Sequence, residues 1–340
     1  MARRKITLKT PPSLASVARA AGVSTASVSL VLGGRHKDYG LSSDTAERIR
    51  AAAAQQGYQR PIRRRGPPRL HVVHFEDLVR MEERGLGASV LQPLMDALAT
   101  RGWQASVDTR LPQEAGGELL SASAVVVPVN HGFDAAATAL IRAAADGGVQ
   151  PIVLGRIIDG IVGIQVDGDQ FGGGRLAAEF LLGQGHRYIG LVGGISGDPH
   201  SEARIAGFIG TAGRTAKVER WGDGGFTIAD AHRLVAGRLA DGARPTAIFC
   251  ASDRMALGTL LALREAGLAV PRDVSLVGFD DQAEFANVGP GLSTIRLVSE
   301  GIGARIAALL EPSSPLKSER LLMTARLMVR GSTSVPRTSP

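Results

Sequence analysis

The stretch LASVARAAGVSTASVSLVL, residues 14–32, predicts two short helices separated by a tight turn. Apolar residues recur at helical spacing up to Gly22, and glycine readily takes the left-handed backbone conformation that ends a helix. Ser24 then suits the N-cap of a second helix, in which Val28 and Val31 face inward. The pattern is that of a helix-turn-helix unit.

The second helix leaves mostly small side chains on its outward side. Such side chains let a helix backbone approach base edges closely, and a helix N-terminus that carries hydroxyls favours phosphate. We therefore expect this helix and the basic residues after it to bind DNA. The predicted DNA-binding residues are Ser24, Thr25, Ala26, Ser27, Ser29, Leu30, Arg35, Arg63, Arg64 and Arg65.

A third helix is predicted in LSSDTAERIRAAAAQQGY, residues 41–58. Either Ser42 or Ser43 can cap it, and Ile49 and Ala53 lie on its inner face. An ordinary three-helix bundle is the alternative to a DNA-binding unit. Residues 1–70 hold 14 Lys or Arg and three Asp or Glu, which gives this part a net charge of +11. Because the whole chain has a net charge of +7, the rest carries −4. A basic N-terminal part on a mildly acidic body favours DNA binding.

Composition limits the class of protein further. With 340 residues, 44% of them hydrophobic and 21% charged, the chain can form a sizeable globular core. The single cysteine, Cys250, excludes an intramolecular disulfide framework and a cysteine-rich zinc site. The basic beginning lacks the apolar core of a signal peptide, and no uncharged run reaches the roughly 18 residues of a membrane span. We expect a cytoplasmic protein without a cofactor.

Beyond residue 70, short apolar runs alternate with helical patterns. The runs predicted as strands are RLHVVHF, WQASVDT, SAVVVPV, PIVLG, IVGIQV, YIGLVGG, AKVERW, AIFCAS and VSLVGFD. This alternation predicts parallel sheets with helices on both faces. So many strand–helix units favour two sheets over one, with a ligand crevice between them at the carboxyl ends of the strands.

Several longer motifs carry a family resemblance. VARAAGVSTASVSLVLGG and LSSDTAERIRAAAAQQGY resemble the headpiece of the lactose-repressor and galactose-repressor family of bacterial transcription regulators. That family's effector-binding core is similar, in the same order, to PIVLGR, GRLAAEFLLGQGHRYIGLVGG, SEARIAGF, PTAIFCASDRMALGTLLALREAGLAVPRDVSLVGFDD, GLSTIRL and LMVRGST. The resemblance covers residues 13–334.

The resemblance implies an all-α helix-turn-helix headpiece followed by an α/β core of two periplasmic-binding-protein-like lobes with parallel sheets. The expected domains are a DNA-binding domain at 1–60, a basic linker at 61–69, an effector-binding and dimerisation core at 70–335, and a tail at 336–340. The expected lobes are an N-lobe at about 70–165 and 297–322 and a C-lobe at about 166–296 and 323–335.

The resemblance also implies which residues bind an effector. Asp253 matches the family's ligand-binding aspartate, although Ser252 and Asp253 both suit an N-cap. Arg204 matches the arginine that reaches the effector, and either Asp167 or Asp169 takes the place of the aspartate in the family's VxxDN motif. The effector-binding residues predicted in this way are Asp253, Arg204, Arg156, Asn130, Asp77, Trp221, Phe226 and Asp280.

The chain also departs from the family pattern. Trp221 and Phe226 flank GDGG, where many members place an aromatic side chain that stacks on a sugar, but Gly224 aligns best with that position. A shorter run, QRPIRRRGPPRL, replaces the family's hinge helix, and its two consecutive prolines oppose helix formation. Leu30 stands where many members carry arginine or another polar residue that reads bases, so it is either a groove contact or a packing residue.

We therefore expect a sequence-specific transcription regulator, a repressor, which binds a near-palindromic operator as a homodimer or tetramer. Its effector would be a sugar, a nucleoside or a related metabolite. The alternatives are a regulator whose core only dimerises and a sugar-binding carrier protein. An enzyme is not expected, because the carboxylates in GFDDQAEF and the turn in GGISG lack a positioned histidine base or a set of metal ligands.

Overall fold

The computed structural model describes residues 13–32, 39–56, 58, 66–73, 87–108, 121–129, 135–312 and 314–337. Its first three helices are α1 (Leu14–Ala21), α2 (Thr25–Leu32) and α3 (Ser43–Gln56), which together we call the headpiece. α1 and α2 are bent by 102° relative to each other. This angle lies in the range of about 90–120° found in helix-turn-helix units, as the sequence predicts.

Local hydrogen bonds set the ends of the headpiece helices. Gly22, with φ 64°, ends α1 in the left-handed conformation. Ser24 caps α2, because its Oγ accepts from the backbone N–H of Ser27 at 3.1 Å. Ser42, the first of the two candidate serines, caps α3 by accepting from the Thr45 N–H at 3.2 Å. The turn chemistry read from the sequence is confirmed.

The headpiece has its own apolar core. Val17, Val28 and Ile49, one from each helix, are fully buried there, and Val31 and Ala53 are 2% and 5% exposed. Taken together, α1 and α2 have the length and composition of a broken membrane span, but their buried residues belong to this core. No single helix among the described residues is long and apolar enough to cross a membrane.

After the headpiece, strands alternate with helices. The strands are β1 (Arg69–Val73), β2 (Gln104–Asp108), β3 (Ala124–Pro128), β4 (Gln150–Leu154), β5 (Ile164–Gly168), β6 (Tyr188–Gly193), β7 (Lys217–Asp223), β8 (Ala247–Cys250), β9 (Ser275–Phe279), β10 (Ser293–Val298) and β11 (Glu319–Met328). The helices are α4 (Gln92–Ala99), α5 (Ala135–Asp146), α6 (Gln170–Gly183), α7 (Pro199–Ala212), α8 (Ile228–Ala240), α9 (Asp253–Glu265) and α10 (Ile302–Leu309). A π-helical turn, Gly87–Leu91, precedes α4, and a 3-10 turn spans Ala283–Phe285.

Within the described residues the strands follow the order β2-β1-β3-β4-β5-β11-β10-β9-β8-β6-β7. Each neighbouring pair is parallel except β10 and β11. Strand β11 belongs to two regions, because Glu319–Met323 pairs with β5 and Thr324–Met328 pairs with β10. We call the strands from β2 to β5 the first half-sheet and those from β10 to β7 the second half-sheet. The two sheets expected from the sequence are thus joined by one long strand.

Helices cover both faces of each half-sheet. On the first half-sheet, Leu94 of α4 and Ile306 of α10 pack on one face, and Ile141 of α5 packs on the other. On the second half-sheet, Phe208 of α7 packs on one face with α6, and Val235 of α8 packs on the other with α9. The expected α/β architecture with mostly parallel strands is confirmed.

Strands β10 and β11 are absent from the strands predicted by apolar runs. Both carry charged residues between apolar ones, such as Arg296 in β10 and Arg320 and Arg326 in β11. Burial alternates at the start of β11, where Leu321 is buried and Leu322 is 60% exposed. A search for continuous apolar runs, which suits strands buried on both faces, misses such half-exposed strands.

The end of the described chain returns along the second half-sheet. Ser332 Oγ donates a hydrogen bond to the carbonyl oxygen of Leu276 at 2.6 Å. His186, which is 1% exposed, contacts the carbonyl oxygen of Ser334 through Nε2 and Thr246 Oγ1 through Nδ1, both at 2.9 Å. Burial lowers the pKa of His186 below its ordinary 6.5. The hydrogen bond to Ser334 acts in the opposite direction but is the smaller effect.

This environment makes stability depend on pH. The native state binds a proton at His186 less readily than the unfolded state does. Above pH 6.5 both states are neutral at this residue, and the free energy of unfolding is unaffected by it. As the pH falls below 6.5, protonation of the unfolded state lowers the free energy of unfolding. Thermal melts should therefore show a steeper loss of Tm between pH 7.5 and 5.5 in the parent than in His186→Asn. The control is His232→Asn, since His232 is a half-buried surface residue paired with Glu265. Equal slopes in the parent and His186→Asn would contradict the prediction.

Candidate functional site

The exposed residues of α2 lie at its N-terminal end. Ser24, Thr25 and Ala26 are exposed, whereas Ser27 and Leu30 are half-buried. The hydroxyls of Ser24 and Ser27 lie 2.9 Å apart, so one of them donates to the other. The end of α2 that points away from the headpiece core thus offers short polar side chains and backbone N–H groups, which is the surface that a DNA groove and its phosphates require.

Other predicted DNA contacts are less fully placed. Ser29 is half-buried on α2. Arg35, Arg63, Arg64 and Arg65 lie outside the described residues, and so does most of the linker. Their contribution to DNA binding stays a prediction.

A polar cavity lies where the two half-sheets meet. It spans about 420 Å³ of space, part of which is open to solvent. Its lining comes from both half-sheets and from the helices that follow their strands: Ser89, Gly155, Asp167, Gly168, Gln170, His200, Arg204, Asp280, Leu297, Ser299 and Met323. We call it the central cavity. Its position at the carboxyl ends of parallel strands is where open α/β sheets bind ligands.

Arg204 is the most connected side chain of this cavity. It lies on α7 and is 7% exposed. Its Nε donates to Gln170 Oε1 at 2.8 Å, and a terminal nitrogen pairs with Asp280 Oδ1 at 3.0 Å. The guanidinium also stacks on the ring of Phe279, with Cζ 3.7 Å from the ring centroid. These contacts hold the guanidinium in one orientation with its partner carboxylate beside it.

The turn after β9 positions Asp280. Asp280 and Asp281 both have positive φ values, 112° and 54°, which are uncommon for residues with a side chain. Asp281 is held on the other side of the turn by Arg330, whose terminal nitrogen lies 2.6 Å from its Oδ1. The strained turn therefore points successive carboxylates at two different arginines.

The two candidate aspartates near β5 have different roles. Asp169 is the N-cap of α6, because its Oδ1 accepts from the Gly172 N–H at 2.8 Å. Asp167 lies in β5, lines the central cavity, and pairs with Nε2 of His200 at 3.1 Å. Asp169 thus carries the structural role expected of a helix-capping aspartate, and Asp167 is the one that faces the cavity.

Asp253 does not line the central cavity. It is 1% exposed at the start of α9, where Ser252 is the N-cap. Its carboxylate accepts from Thr294 Oγ1 at 2.6 Å and from the Gln282 N–H at 2.9 Å. Burial raises the pKa of Asp253 well above its ordinary 3.8, and the charge of Asp280 acts in the same direction. One oxygen thus bonds β10 and the other bonds the loop after β9, and the predicted bond from Asp253 to an effector hydroxyl stays a prediction.

The two aromatic residues predicted to contact an effector differ in burial. Trp221 is 6% exposed and packs flat against the backbone of Gly190, where an added Cβ would lie 2.7 Å from its ring. It belongs to the core beneath α8 and α9 rather than to the cavity. Phe226 packs against Gly194 in the same way, with φ 56°. Trp221 is therefore a core residue, while Phe226 is half-buried and its predicted contact with an effector stays a prediction.

Of the three remaining predicted effector-binding residues, the structure describes only Arg156. Arg156 lines a second cavity of about 590 Å³, which shares Asp167, Gly168, Gln170 and His200 with the central cavity. We call this the outer cavity. Asn130 and Asp77 lie outside the described residues.

Features that could indicate an enzyme are weak in the described part of the chain. Cys250 is fully buried, and burial raises the pKa of its thiol to about 12, so thiolate formation is suppressed. No group of three or more His, Cys, Asp and Glu side chains among the described residues could hold a metal ion.

Comparison with known proteins agrees with this geometry. Residues 13–61 match the model of the lacI family of bacterial regulatory proteins, and residues 178–333 match the periplasmic binding protein-like domain. The HTH-type transcriptional regulator reg1 of Streptomyces lividans is 30% identical over 94% of this chain and 96% of its own length. The chain belongs to the lacI family. It is therefore a helix-turn-helix transcription regulator, as the resemblance implies.

Other lacI-family proteins extend the comparison. The HTH-type transcriptional regulator MalR of Streptomyces coelicolor is 31% identical over 94% of this chain and 96% of its own length. A solved complex of the transcriptional regulator CelR with cellobiose is 27% identical, covers 94% of this chain and 99% of its own, and has a TM-score of 0.63. The lac repressor dimer bound to operator, at 23% identity and a TM-score of 0.65, shows the same fold.

Sequence reasoning missed four polar residues that line the cavity in this lacI-family chain, namely Ser89, Gln170, His200 and Ser299. Gln170 accepts the hydrogen bond from Arg204 Nε, and His200 pairs with Asp167. His200 stands four residues before Arg204 in α7, so the two share a helix face. That spacing is the one signal in the sequence that could have identified His200.

Proposed function

We propose that the protein is a homodimeric repressor whose operator affinity is set by a small, hydroxyl-rich effector in the central cavity. The observation that carries the proposal is the cluster of Arg204, Asp280 and Gln170 at the junction of the half-sheets. A buried ion pair is poor evidence for stability, because desolvation offsets most of the attraction between the charges. Its place at the carboxyl ends of the strands instead supports a role in binding.

The chemistry of the lining favours hydroxyl groups as ligand partners. The carboxylates of Asp167 and Asp280 can accept hydrogen bonds, while Ser89 and Ser299 can both donate and accept. The similar regulator CelR was solved in complex with cellobiose, a sugar that bears many hydroxyl groups. The division into headpiece, linker, two lobes and tail predicted from the sequence completes the proposal.

DNA binding is tested by placing a negative charge at the exposed end of α2. Glutamate at Ala26 suits the N-terminal turn of a helix but faces the DNA phosphates. Ala26→Glu should weaken operator binding about 10- to 100-fold, equivalent to about 1–3 kcal/mol. Ala51→Glu makes the same change on the exposed face of α3 and should leave affinity within about threefold.

DNA footprinting tests whether the protein binds its operator as a dimer. Footprinting with the DNA upstream of the gene should protect two inverted half-sites about one helical turn apart, because a two-fold dimer presents two copies of α2. Protection of a single half-site, or equal binding by Ala26→Glu and the parent, would contradict the proposal.

A further inference from the structure

A second pair of side chains, an imidazole and a carboxylate, faces the central cavity. His200 Nε2 lies 3.1 Å from Asp167 Oδ1 and 3.3 Å from Oδ2. Asp167 Oδ1 also accepts from the Gly168 N–H at 2.7 Å. The side chains of His200 and Asp167 are 11% and 16% exposed, so the pair is largely withdrawn from solvent and remains open to the cavity.

The pair stands where the two cavities meet. Both His200 and Asp167 line the central cavity of about 420 Å³ and also the outer cavity of about 590 Å³. Arg204 and Asp280 line only the central cavity, and Phe171 and Leu322 line only the outer one. A ligand that extends from the central cavity into the outer cavity therefore passes the His200–Asp167 pair.

Two side chains of α7 present ring or guanidinium nitrogens here. His200 and Arg204 lie one helical turn apart, and each has a carboxylate beside it, Asp167 and Asp280. An anionic ligand would have to compete with these carboxylates for their basic partners. A hydroxyl group can donate to a carboxylate oxygen and accept from a nitrogen donor without separating either pair.

We propose that the His200–Asp167 pair determines effector selectivity. It accepts an uncharged, hydroxyl-bearing part of the ligand and disfavours both anionic and cationic groups at the same place. This inference rests on the proposed function, since it concerns the ligand of the same cavity. Removal of the imidazole leaves the Asp167 carboxylate without its partner, and an ammonium group on the ligand then takes the place of His200.

The test compares three sugars of one size: glucose, glucosamine and glucose 6-phosphate. Their dissociation constants are measured by thermal-shift titration with the full chain. In His200→Ala, affinity for glucosamine relative to glucose should rise about tenfold or more, as expected for a new hydrogen bond between charged groups. In Asp167→Asn, the same ratio should stay at or below that of the parent, and discrimination against glucose 6-phosphate should weaken.

Two further variants keep the test decisive. His200→Lys places an ammonium group opposite Asp167 and should restore the parent's rejection of glucosamine, which loss of folding in His200→Ala could not mimic. His232→Ala, at a histidine on α8 paired with Glu265, should leave all three ratios unchanged. An unchanged glucosamine-to-glucose ratio in His200→Ala, or a parent that prefers glucose 6-phosphate, would overturn the inference. Absence of any sugar effect on the parent's operator binding would instead overturn the proposed function.

Discussion

Gly207→Ala should lower the free energy of unfolding by about 3 kcal/mol, at the upper end of the range for overpacked cores. A Cβ at Gly207 of α7 would lie 2.0 Å from the carbonyl oxygen of Phe171 in α6, and backbone cannot move aside as a flexible side chain can. Gly174→Ala should behave alike, since its Cβ would lie 1.9 Å from the carbonyl oxygen of Arg204. Urea unfolding of the full chain measures both changes.

Gly210→Ala provides the matched control in the same helix. Nothing lies within 4 Å of a Cβ at Gly210, so the variant should gain about 0.5–1 kcal/mol from improved helix propensity. The opposite signs of the two changes separate close packing from helix propensity. If Gly207→Ala were as stable as the parent, the close contact of α6 with α7 would not hold in solution.

The second large effect concerns the effector response. Arg204→Met combined with Asp280→Asn removes the buried ion pair without leaving an unpaired charge, while keeping side-chain volume. Effector affinity should fall about 100-fold, because hydrogen bonds to charged groups contribute about 1.5–3 kcal/mol each. Operator affinity without effector should stay within about threefold, since the DNA-binding helix folds around its own core.

Fluorescence anisotropy with labelled operator, titrated with effector, measures both quantities in one experiment. Arg220→Met is the control, because Arg220 pairs with Glu202 at the surface and does not line the central cavity. A double variant that responds to the effector at the parent's concentration would exclude the central cavity as the effector site.

Local sequence signals predicted the headpiece well. The glycine that ends α1, the serine caps and the spacing of Val17, Val28 and Ile49 act over a few residues each, and the structure has all of them. Strands β1 to β9 were also predicted from their apolar runs. Those covered on both faces, such as β3 and β4, are buried along their whole length. β10 and β11 are partly exposed and carry charged residues between apolar ones, so a search for continuous apolar runs misses them.

The site was predicted in part for the same reason. Arg204 and Asp280 stand at an expected helix and strand end, and the structure brings them together. The contacts of Asp253 with Thr294 and with the Gln282 N–H were not predicted. They join parts of the chain that lie 41 and 29 residues apart, and a local motif carries no information on such packing.

The long strand β11 also constrains the order in which the chain can fold during synthesis. Its two ends complete the hydrogen bonding of β5 and of β10, which lie in different half-sheets. A nascent chain that has emerged only as far as α10 therefore exposes one unpaired strand edge on each half-sheet, and such edges promote pairing with other chains. Both edges become paired at the same time, when residues 319–328 leave the ribosome. A stop codon before this strand would therefore leave both half-sheets incomplete.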